Sequence, residues 1–198
     1  MITQKSIDLV REITKKIPSF HHHYHILYDL ANNINKNNIN YLEIGAYGGA
    51  SAILMLHNKN VKATSIDIGY PIKKEKVLEH VSMFFKDNRF NYIQGNSHDH
   101  NVKKLITEKI DVLFIDGDHS FNGVTKDFED YSPLVEKNGY IVLDDYFCPE
   151  SIQVKPAVDA IVSKLNLKEF EVIGSLPNEF KAKPDTFKLN NCFVIRKI

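Results

Sequence analysis

The sequence is poor in cysteine, in net charge and in long apolar runs, and each scarcity excludes a class of protein. Its two cysteines, Cys148 and Cys192, are too few for a disulfide framework or a cysteine metal site, which suits a reducing compartment. Lys and Arg number 25, as do Asp and Glu, so the basic excess of a nucleic-acid binder is missing. No apolar run approaches the ~18 residues of a membrane span, and the charged start is unlike a signal peptide. We therefore expect a cytoplasmic protein without nucleic-acid or membrane partners.

Internal repeats, low-complexity tracts and flexible linkers are also missing. A chain of this length buries roughly 70% of its unfolded surface, which is enough for one stable domain. We therefore predict a single domain over residues 1–198, and we expect it to form a homodimer. Helices over 4–16 and 22–33 precede the first strand, and residues 1–36 are predicted to form a lid.

Apolar runs of strand length alternate with helical patterns along the chain. Several runs lack a two-residue alternation, as expected of strands covered on both faces. The predicted strands are 41–44, 63–68, 90–94, 112–115, 140–143, 170–173 and 193–195, and the predicted helices between them are 50–58, 73–86, 101–109, 124–136 and 154–165. Because no helical pattern separates the last two strands, the surface loop or lid predicted over 175–190 is expected to join an antiparallel pair. The predicted fold class is α/β, a Rossmann-like doubly wound seven-stranded sheet, mostly parallel with an antiparallel final strand and helices on both faces.

The first predicted strand ends in a glycine-rich turn, YLEIGAYGGAS. Glu43, Gly45, Gly48 and Gly49 form the pattern E-x-G-x-x-G-G, where glycines let the backbone bend tightly and a ligand approach closely. The pattern differs from the G-x-G-x-x-G of a nucleotide cradle. It resembles the first motif of the class I methyltransferases that depend on S-adenosylmethionine (SAM). The alternative is a generic strand-to-helix turn of an α/β fold.

The resemblance implies that SAM binds at this turn. The Glu43 carboxylate suits a ligand with a cationic amino group and a sulfonium, and it would repel a pyrophosphate. Gly45, Tyr47, Gly48 and Ser51 are expected to contact the cofactor as well.

Two later strand ends add candidates for the same cofactor. Asp67 ends the second strand, and an acid about 20 residues past such a turn commonly binds ribose hydroxyls; alternatively, it caps a helix. In the methyltransferase family the end of the third strand lies near the adenine. The resemblance therefore implies that Asn96, Ser97 and His98 contact it, and Asp116 is a further cofactor candidate.

Acidic residues follow the fourth and fifth strands. Asp116 and Asp118 come after one strand, and Asp144 and Asp145 after the next. Because neighbouring parallel strands lie ~4.8 Å apart, Asp116, Asp144 and Asp145 should converge at one edge of the sheet. Their repulsion predicts raised pKa values or a bound cation, and hard oxygen ligands suit Mg²⁺, Mn²⁺ or Ca²⁺.

The stretches IDGDHS and LDDY resemble the macrocin-type sugar O-methyltransferases and, more distantly, catechol O-methyltransferase, over about residues 38–147. The resemblance implies that Asp116, Asp144 and Asp145 bind Mg²⁺ or Mn²⁺. It also implies that Asp118 is the catalytic base, a role for which His119 competes. The alternatives are a polar turn that caps a helix at Asn122 and a solvated acidic pair at 144–145.

Together these features predict a metal-dependent O-methyltransferase that acts on a hydroxyl of a sugar or glycan. The alternatives are a metal-independent methyltransferase of another small molecule, a Mg²⁺-dependent hydrolase, a nucleotide-binding dehydrogenase and a catalytically silent SAM-binding module. His21, His22, His23 and His25 are either a polar helix start or part of a lid over the acceptor site.

Overall fold

A computed structural model of the chain describes residues 3–19, 24–176 and 192–198. Residues 21–23 of the histidine cluster, and residues 177–190 of the predicted loop, lie outside the described ranges. Within those ranges, no helix has both the length and the apolar character needed to cross a membrane.

The fold is built on one seven-stranded sheet in the order β3-β2-β1-β4-β5-β7-β6. The strands are β1 (Ile39–Ile44), β2 (Val61–Asp67), β3 (Phe90–Gln94), β4 (Ile110–Ile115), β5 (Val135–Leu143), β6 (Phe170–Leu176) and β7 (Cys192–Lys197). The first five strands pair in parallel, and β7 runs antiparallel to both β5 and β6. The predicted fold class and the antiparallel final pair are confirmed.

Seven α-helices accompany the strands in the described part of the chain. They are α1 (Gln4–Thr14), α2 (His25–Asn32), α3 (Ala50–Leu56), α4 (Lys74–Ser82), α5 (His100–Lys103), α6 (Phe121–Tyr131) and α7 (Val154–Lys164). The helix predicted over 124–136 is wrong at its end, because Ser132–Leu134 form a 3₁₀ turn and β5 begins at Val135. Pro133 explains the break, since proline has no N–H to donate to the carbonyl four residues earlier and its ring clashes with that carbonyl.

The helix predicted over 101–109 is also shorter in the structure, where α5 is a single turn. Asp99 caps its start, and its side chain accepts a hydrogen bond from the backbone N–H of Asn101. The β-branched residues Ile106 and Thr107 follow the turn, and such residues are weak helix formers.

Two apolar layers cover the sheet, one on each face. Every residue of β4 is buried, and its side chains alternate between the layers. Val112 and Phe114 pack with residues of α1, α2 and α3, whereas Leu113 and Ile115 pack with residues of α6 and α7. Burial on both faces explains the continuous apolar run of this strand. It also leaves the carboxyl end of the sheet as the edge where polar side chains gather.

Candidate active site

A cavity of about 580 Å³ opens at the carboxyl ends of the parallel strands. Its wall comes from the glycine turn after β1, the ends of β2 and β4, the loop after β3 and the N-terminal segment. The predicted cofactor residues that line it are Gly45, Tyr47, Gly48, Ser51, Asp67, Asn96, Ser97, His98 and Asp116. The remaining one, Glu43, lies behind the wall.

The glycine turn is held by close backbone contacts. Gly45 has a φ of +93°, and a Cβ placed on it would lie 2.0 Å from the carbonyl oxygen of Asp116. A Cβ on Gly48 would lie 2.6 Å from the carbonyl oxygen of Pro18. At both positions another segment of the chain already fills the space that a side chain needs. Glycine is therefore required here by the fold itself, before any ligand is considered.

Asp67 fastens the turn to the end of β2. One carboxylate oxygen, Oδ2, accepts hydrogen bonds from the backbone N–H groups of Ala46 and Tyr47, at 2.7 and 3.2 Å. The other, Oδ1, accepts from the N–H of Gly69 at 2.6 Å. Asp67 thus organises the turn while it lines the cavity. Its contact with ribose stays a prediction.

Glu43 is completely buried and is surrounded by hydroxyl groups. Its carboxylate accepts hydrogen bonds from Tyr41 at 2.7 Å and from Ser51 and Ser65 at 2.6 Å each. Burial raises the pKa of Glu43 to about 7, although the three hydroxyl groups oppose the shift. Ser51 lines the cavity and so connects Glu43 with it. A direct contact between Glu43 and the cofactor stays a prediction.

The loop after β3 is supported from the side by α6. Ser97 donates its hydroxyl hydrogen bond to Asp127 Oδ1 at 2.7 Å, and His98 Nε2 lies 3.1 Å from the same oxygen. The Tyr131 hydroxyl donates to the Ser97 carbonyl at 2.8 Å. The sequence analysis missed Asp127. The available signal was its position on the helix face that also carries the buried residues Val124 and Tyr131.

Asp116, His119 and Asp145 form a cluster at the cavity's edge, and their ligand atoms all lie within 4.8 Å of one another. His119 Nε2 is 3.2 Å from Asp116 Oδ1, and His119 Nδ1 is 3.5 Å from Asp145 Oδ2. The Ser151 hydroxyl donates to Asp145 Oδ2 at 2.8 Å and lies 3.0 Å from His119 Nδ1. Sequence reasoning missed Ser151, which comes from the loop between β5 and α7.

Asp144 is placed differently from its neighbour in the sequence. It is buried, and the Cys192 thiol donates to its Oδ1 at 3.2 Å. Asp145 has a φ of 59°, which turns the chain sharply between the two acids. Of the predicted metal set, Asp116 and Asp145 therefore lie with His119, while Asp144 contacts Cys192 and its charge acts on Asp116. Its role as a metal ligand stays a prediction.

The charges of the cluster shift the pKa values of its members. Burial and the nearby Asp144 charge raise the pKa of Asp116 to about 8. The hydrogen bond to Asp116 raises the pKa of His119 to about 9. The charges of the two acids therefore favour the cationic form of the imidazole that lies between them. A site that stabilises this cation can also accept a metal ion.

Asp118 lies on the exposed side of the turn that leads into α6, and it also lines the cavity. Its carboxylate accepts from the Ser120 N–H at 2.9 Å and from the Ser120 hydroxyl at 3.0 Å. Ser120 caps α6, and its Oγ accepts from the Gly123 N–H. Helix α6 thus begins at Phe121, with Ser120 as its N-cap, and not at Asn122. The turn has a capping function, and it places Asp118 at the cavity.

The N-terminal segment also contributes to the wall, through Pro18, Ser19 and Tyr24. Tyr24 is almost fully buried, as is His25 at the start of α2. The region predicted as a lid therefore adjoins the cavity. Whether it opens and closes stays a prediction.

Comparison with known proteins gives three results. Residues 42–146 match a protein family described as "Methyltransferase domain". An uncharacterised protein of Acanthamoeba polyphaga mimivirus is 37% identical over an alignment of 196 residues, and the match covers 91% of this chain and 89% of that protein. Solved structures with the same fold include a Streptococcus mutans protein in complex with S-adenosylhomocysteine (SAH), with a TM-score of 0.69, 14% identity and coverage of 91% of this chain and 100% of that one. The O-methyltransferase TomG of Streptomyces achromogenes, involved in tomaymycin synthesis and solved with SAM, has a TM-score of 0.65 and 14% identity, and the match covers 98% and 87% of the two chains.

The family match spans just over half of the chain, from β1 to the residue after Asp145. It therefore contains the glycine turn, the loop after β3 and the acids after β4 and β5. The fold neighbours share the sheet whose carboxyl edge carries these residues. We conclude that the chain belongs to the class I SAM-dependent methyltransferase family.

Proposed function

We propose that this methyltransferase transfers the methyl group of SAM to a hydroxyl of a sugar or glycan, with the assistance of Mg²⁺ or Mn²⁺. The observation that carries the proposal is the cluster of Asp116, His119 and Asp145 at the edge of the cofactor cavity. The resemblance of IDGDHS and LDDY to the macrocin-type enzymes supports the sugar acceptor.

The cluster has the donor set of a divalent-cation site. Asp116 and Asp145 offer carboxylate oxygens, which suit Mg²⁺ and Mn²⁺, and His119 offers a nitrogen, which Mn²⁺ tolerates better than Mg²⁺. Burial raises the pKa of Asp116 first and the charge of Asp144 raises it further, and a bound cation would offset both effects. These three residues would hold the ion, which when bound polarises a hydroxyl and lowers its pKa.

The residues around the cavity then have distinct tasks. The glycine turn and the loop after β3 hold the methyl donor, so that donor and acceptor meet in line. Asp118 accepts the proton of the acceptor hydroxyl, since it lines the cavity and Ser120 fixes its orientation. His119 is held by Asp116 and lies beside Ser151, so we assign it to the cluster rather than to proton transfer.

The proposal is tested by measuring SAH formation against nucleotide sugars, glycans and catechols. Activity should fall after treatment with EDTA and return with Mg²⁺ or Mn²⁺. Asp145→Asn should weaken the recovery of activity on addition of metal. Asp159→Asn, which changes an exposed acid paired with Lys155, should leave that recovery intact. Full activity after exhaustive chelation would show that the enzyme does not require a cation. Transfer to catechols alone would exclude a sugar or glycan as the acceptor. If no hydroxyl compound were methylated, the proposal of O-methylation would be wrong.

A further inference from the structure

His80 is a buried histidine on α4, and its ring lies against the glycine turn rather than in the cavity. Its Nδ1 is 2.9 Å from the carbonyl oxygen of Gly48. Because a carbonyl can only accept a hydrogen bond, Nδ1 carries a hydrogen and donates it. The packing beside this bond is close, since a Cβ on Gly49 would lie 3.0 Å from Cγ1 of Val77, which is also on α4. Helix α4 therefore supports the turn with one specific hydrogen bond as well as with apolar contacts.

The hydrogen bond from His80 fixes one end of the peptide unit that joins Gly48 and Gly49. At the other end of this unit, the N–H of Gly49 donates to the carbonyl oxygen of Ala46 at 2.6 Å. A peptide unit is planar, so hydrogen bonds at its two ends determine its orientation. Glycine adopts positive and negative φ about equally well, and a unit flanked by two glycines is therefore not fixed by its own residues. The orientation of this unit depends on the contacts that it makes.

The orientation matters because the unit borders the cavity. Ala46 and Gly48 both line the cavity, whereas no residue of α4, a helix that the structure describes in full, does so. The hydrogen bond to His80 thus directs the Gly48 carbonyl away from the cavity. Rotation of the unit would break this bond and change the backbone surface that the cavity presents to a ligand.

We propose that His80 is a positioning residue of the cofactor site, which holds the peptide unit 48–49 in the orientation that accepts SAM. His80 acts through the Gly48 carbonyl and touches no ligand itself. The proposal depends on the predicted contact between SAM and the glycine turn. It requires neither the metal nor a particular acceptor, so it goes beyond the proposed function.

The test compares two replacements of His80 that separate its hydrogen bond from its volume. His80→Phe keeps an aromatic ring and removes the donor. His80→Asn loses the ring but keeps an N–H donor, because its side-chain amide nitrogen is as many bonds from Cα as Nδ1 is. Calorimetry gives the Kd of SAH at a temperature at which every variant is folded. In His80→Phe the Kd should rise roughly fivefold, the value of one neutral hydrogen bond, whereas in His80→Asn it should stay close to that of the wild type.

Val158→Ala is the matched control for lost stability. Val158 is completely buried on α7 and does not line the cavity. Its truncation should therefore lower the unfolding midpoint and leave the Kd of SAH unchanged. His80→Asn should also lower the unfolding midpoint, because it loses the packing of the ring. A purely structural role would make the affinity follow the midpoint, whereas the proposal predicts that the affinity follows the N–H donor.

Three results of these titrations would overturn the proposal. They are an unchanged Kd in His80→Phe, an equal rise in both His80 variants, and a rise in Val158→Ala as large as that in His80→Phe. If His80→Phe does not fold, the nitrogen NMR shifts of the wild type still test the hydrogen bond. They should place the hydrogen of the neutral His80 ring on Nδ1, both with and without SAH, and a ring with its hydrogen on Nε2 would refute the proposal. No acceptor or metal is present in these measurements, so failure of the proposed O-methylation would not affect them.

Discussion

The glycine turn after β1 and the acidic cluster after β4 and β5 occupy the same edge of the sheet but are held in different ways. Backbone geometry shapes the turn, where Gly45 lies against the Asp116 carbonyl and Asp67 binds N–H groups. The cluster depends on charged side chains, with His119 between Asp116 and Asp145. Substitutions at the turn should therefore damage the fold first, whereas substitutions at the cluster should damage catalysis while the protein stays folded.

The largest effect is expected at the turn, from Gly45→Ala. The added Cβ would lie 2.0 Å from the Asp116 carbonyl oxygen, at a φ of +93°, so the free energy of unfolding should fall by more than about 4 kcal/mol. Gly174→Ala is the matched control, since Gly174 has a φ of +96° and no atom within 4 Å of the added Cβ. It should lose about 1–2 kcal/mol, the cost of the backbone conformation alone. Equal losses in denaturant titrations would show that the contact with Asp116 is unimportant.

Next to the acidic cluster, Asp118→Asn should lower the catalytic rate and leave the free energy of unfolding unchanged. The variant keeps the size of the side chain and removes the proton acceptor, so kcat should fall roughly 10²–10⁴-fold. The Kd values of SAM and of the metal should hardly change, as calorimetry can establish. His119→Ala, measured at saturating metal, should lose less activity. If the ranking of the two variants is reversed while both remain folded, His119 is the base.

Glu43 sharpens the comparison, because it is a charged group placed at the turn. Its pKa is about 7 in the folded protein, above its ordinary value of 4.5, so the folded state binds the proton more tightly. Its contribution to stability is therefore complete below pH 4.5 and is lost as pH rises through 7, by about 3 kcal/mol. Glu43→Gln should flatten the pH dependence of the free energy of unfolding between pH 4 and 8. Asp116 titrates with the same sign, so the measured quantity is the difference between the slopes of the wild type and the variant. Identical slopes in the wild type and the variant would show that burial does not raise the pKa of Glu43.

The smallest effect is expected at the cap of α6, next to the cluster. Ser120→Ala removes the hydroxyl that accepts from Gly123 and donates to Asp118, and the free energy of unfolding should fall by ~1 kcal/mol. Ser120→Thr keeps a hydroxyl and should retain most of that stability. Thermal unfolding distinguishes the two variants. A loss in Ser120→Thr as large as in Ser120→Ala would show that the hydroxyl is not the stabilising group.

Most of the fold could be predicted from the sequence, because burial of strands on both faces leaves a visible apolar pattern. The run at β4 is an example, as is the absence of a helix between the last two strands. The predicted end of α6 was wrong, because the apolar spacing continues through Val135 although Pro133 interrupts the helix. The insertion of β7 between β5 and β6 depends on packing between distant segments, and no local pattern encodes it.

The site was predictable to the extent that topology determines it. Parallel strands bring their carboxyl ends to one edge, so the gathering of Asp116 and Asp145 followed from strand assignments. The different surroundings of Asp144 and Asp145 did not follow, because the chain turns sharply between them at the positive φ of Asp145. Ser151 and Asp127 were missed because each contacts a residue far away in the sequence, Ser151 with His119 and Asp127 with Ser97.

Helix α6 supports two parts of the cavity wall, the turn that bears the proposed base and the loop after β3. Its cap at Ser120 fixes the turn that bears Asp118, and Asp127 and Tyr131 on its inner face hold the loop after β3. A rise of 1.5 Å per residue separates cap and acid by about 10 Å, a spacing that does not stretch. Changes that tilt or slide α6 must therefore disturb both contacts at once.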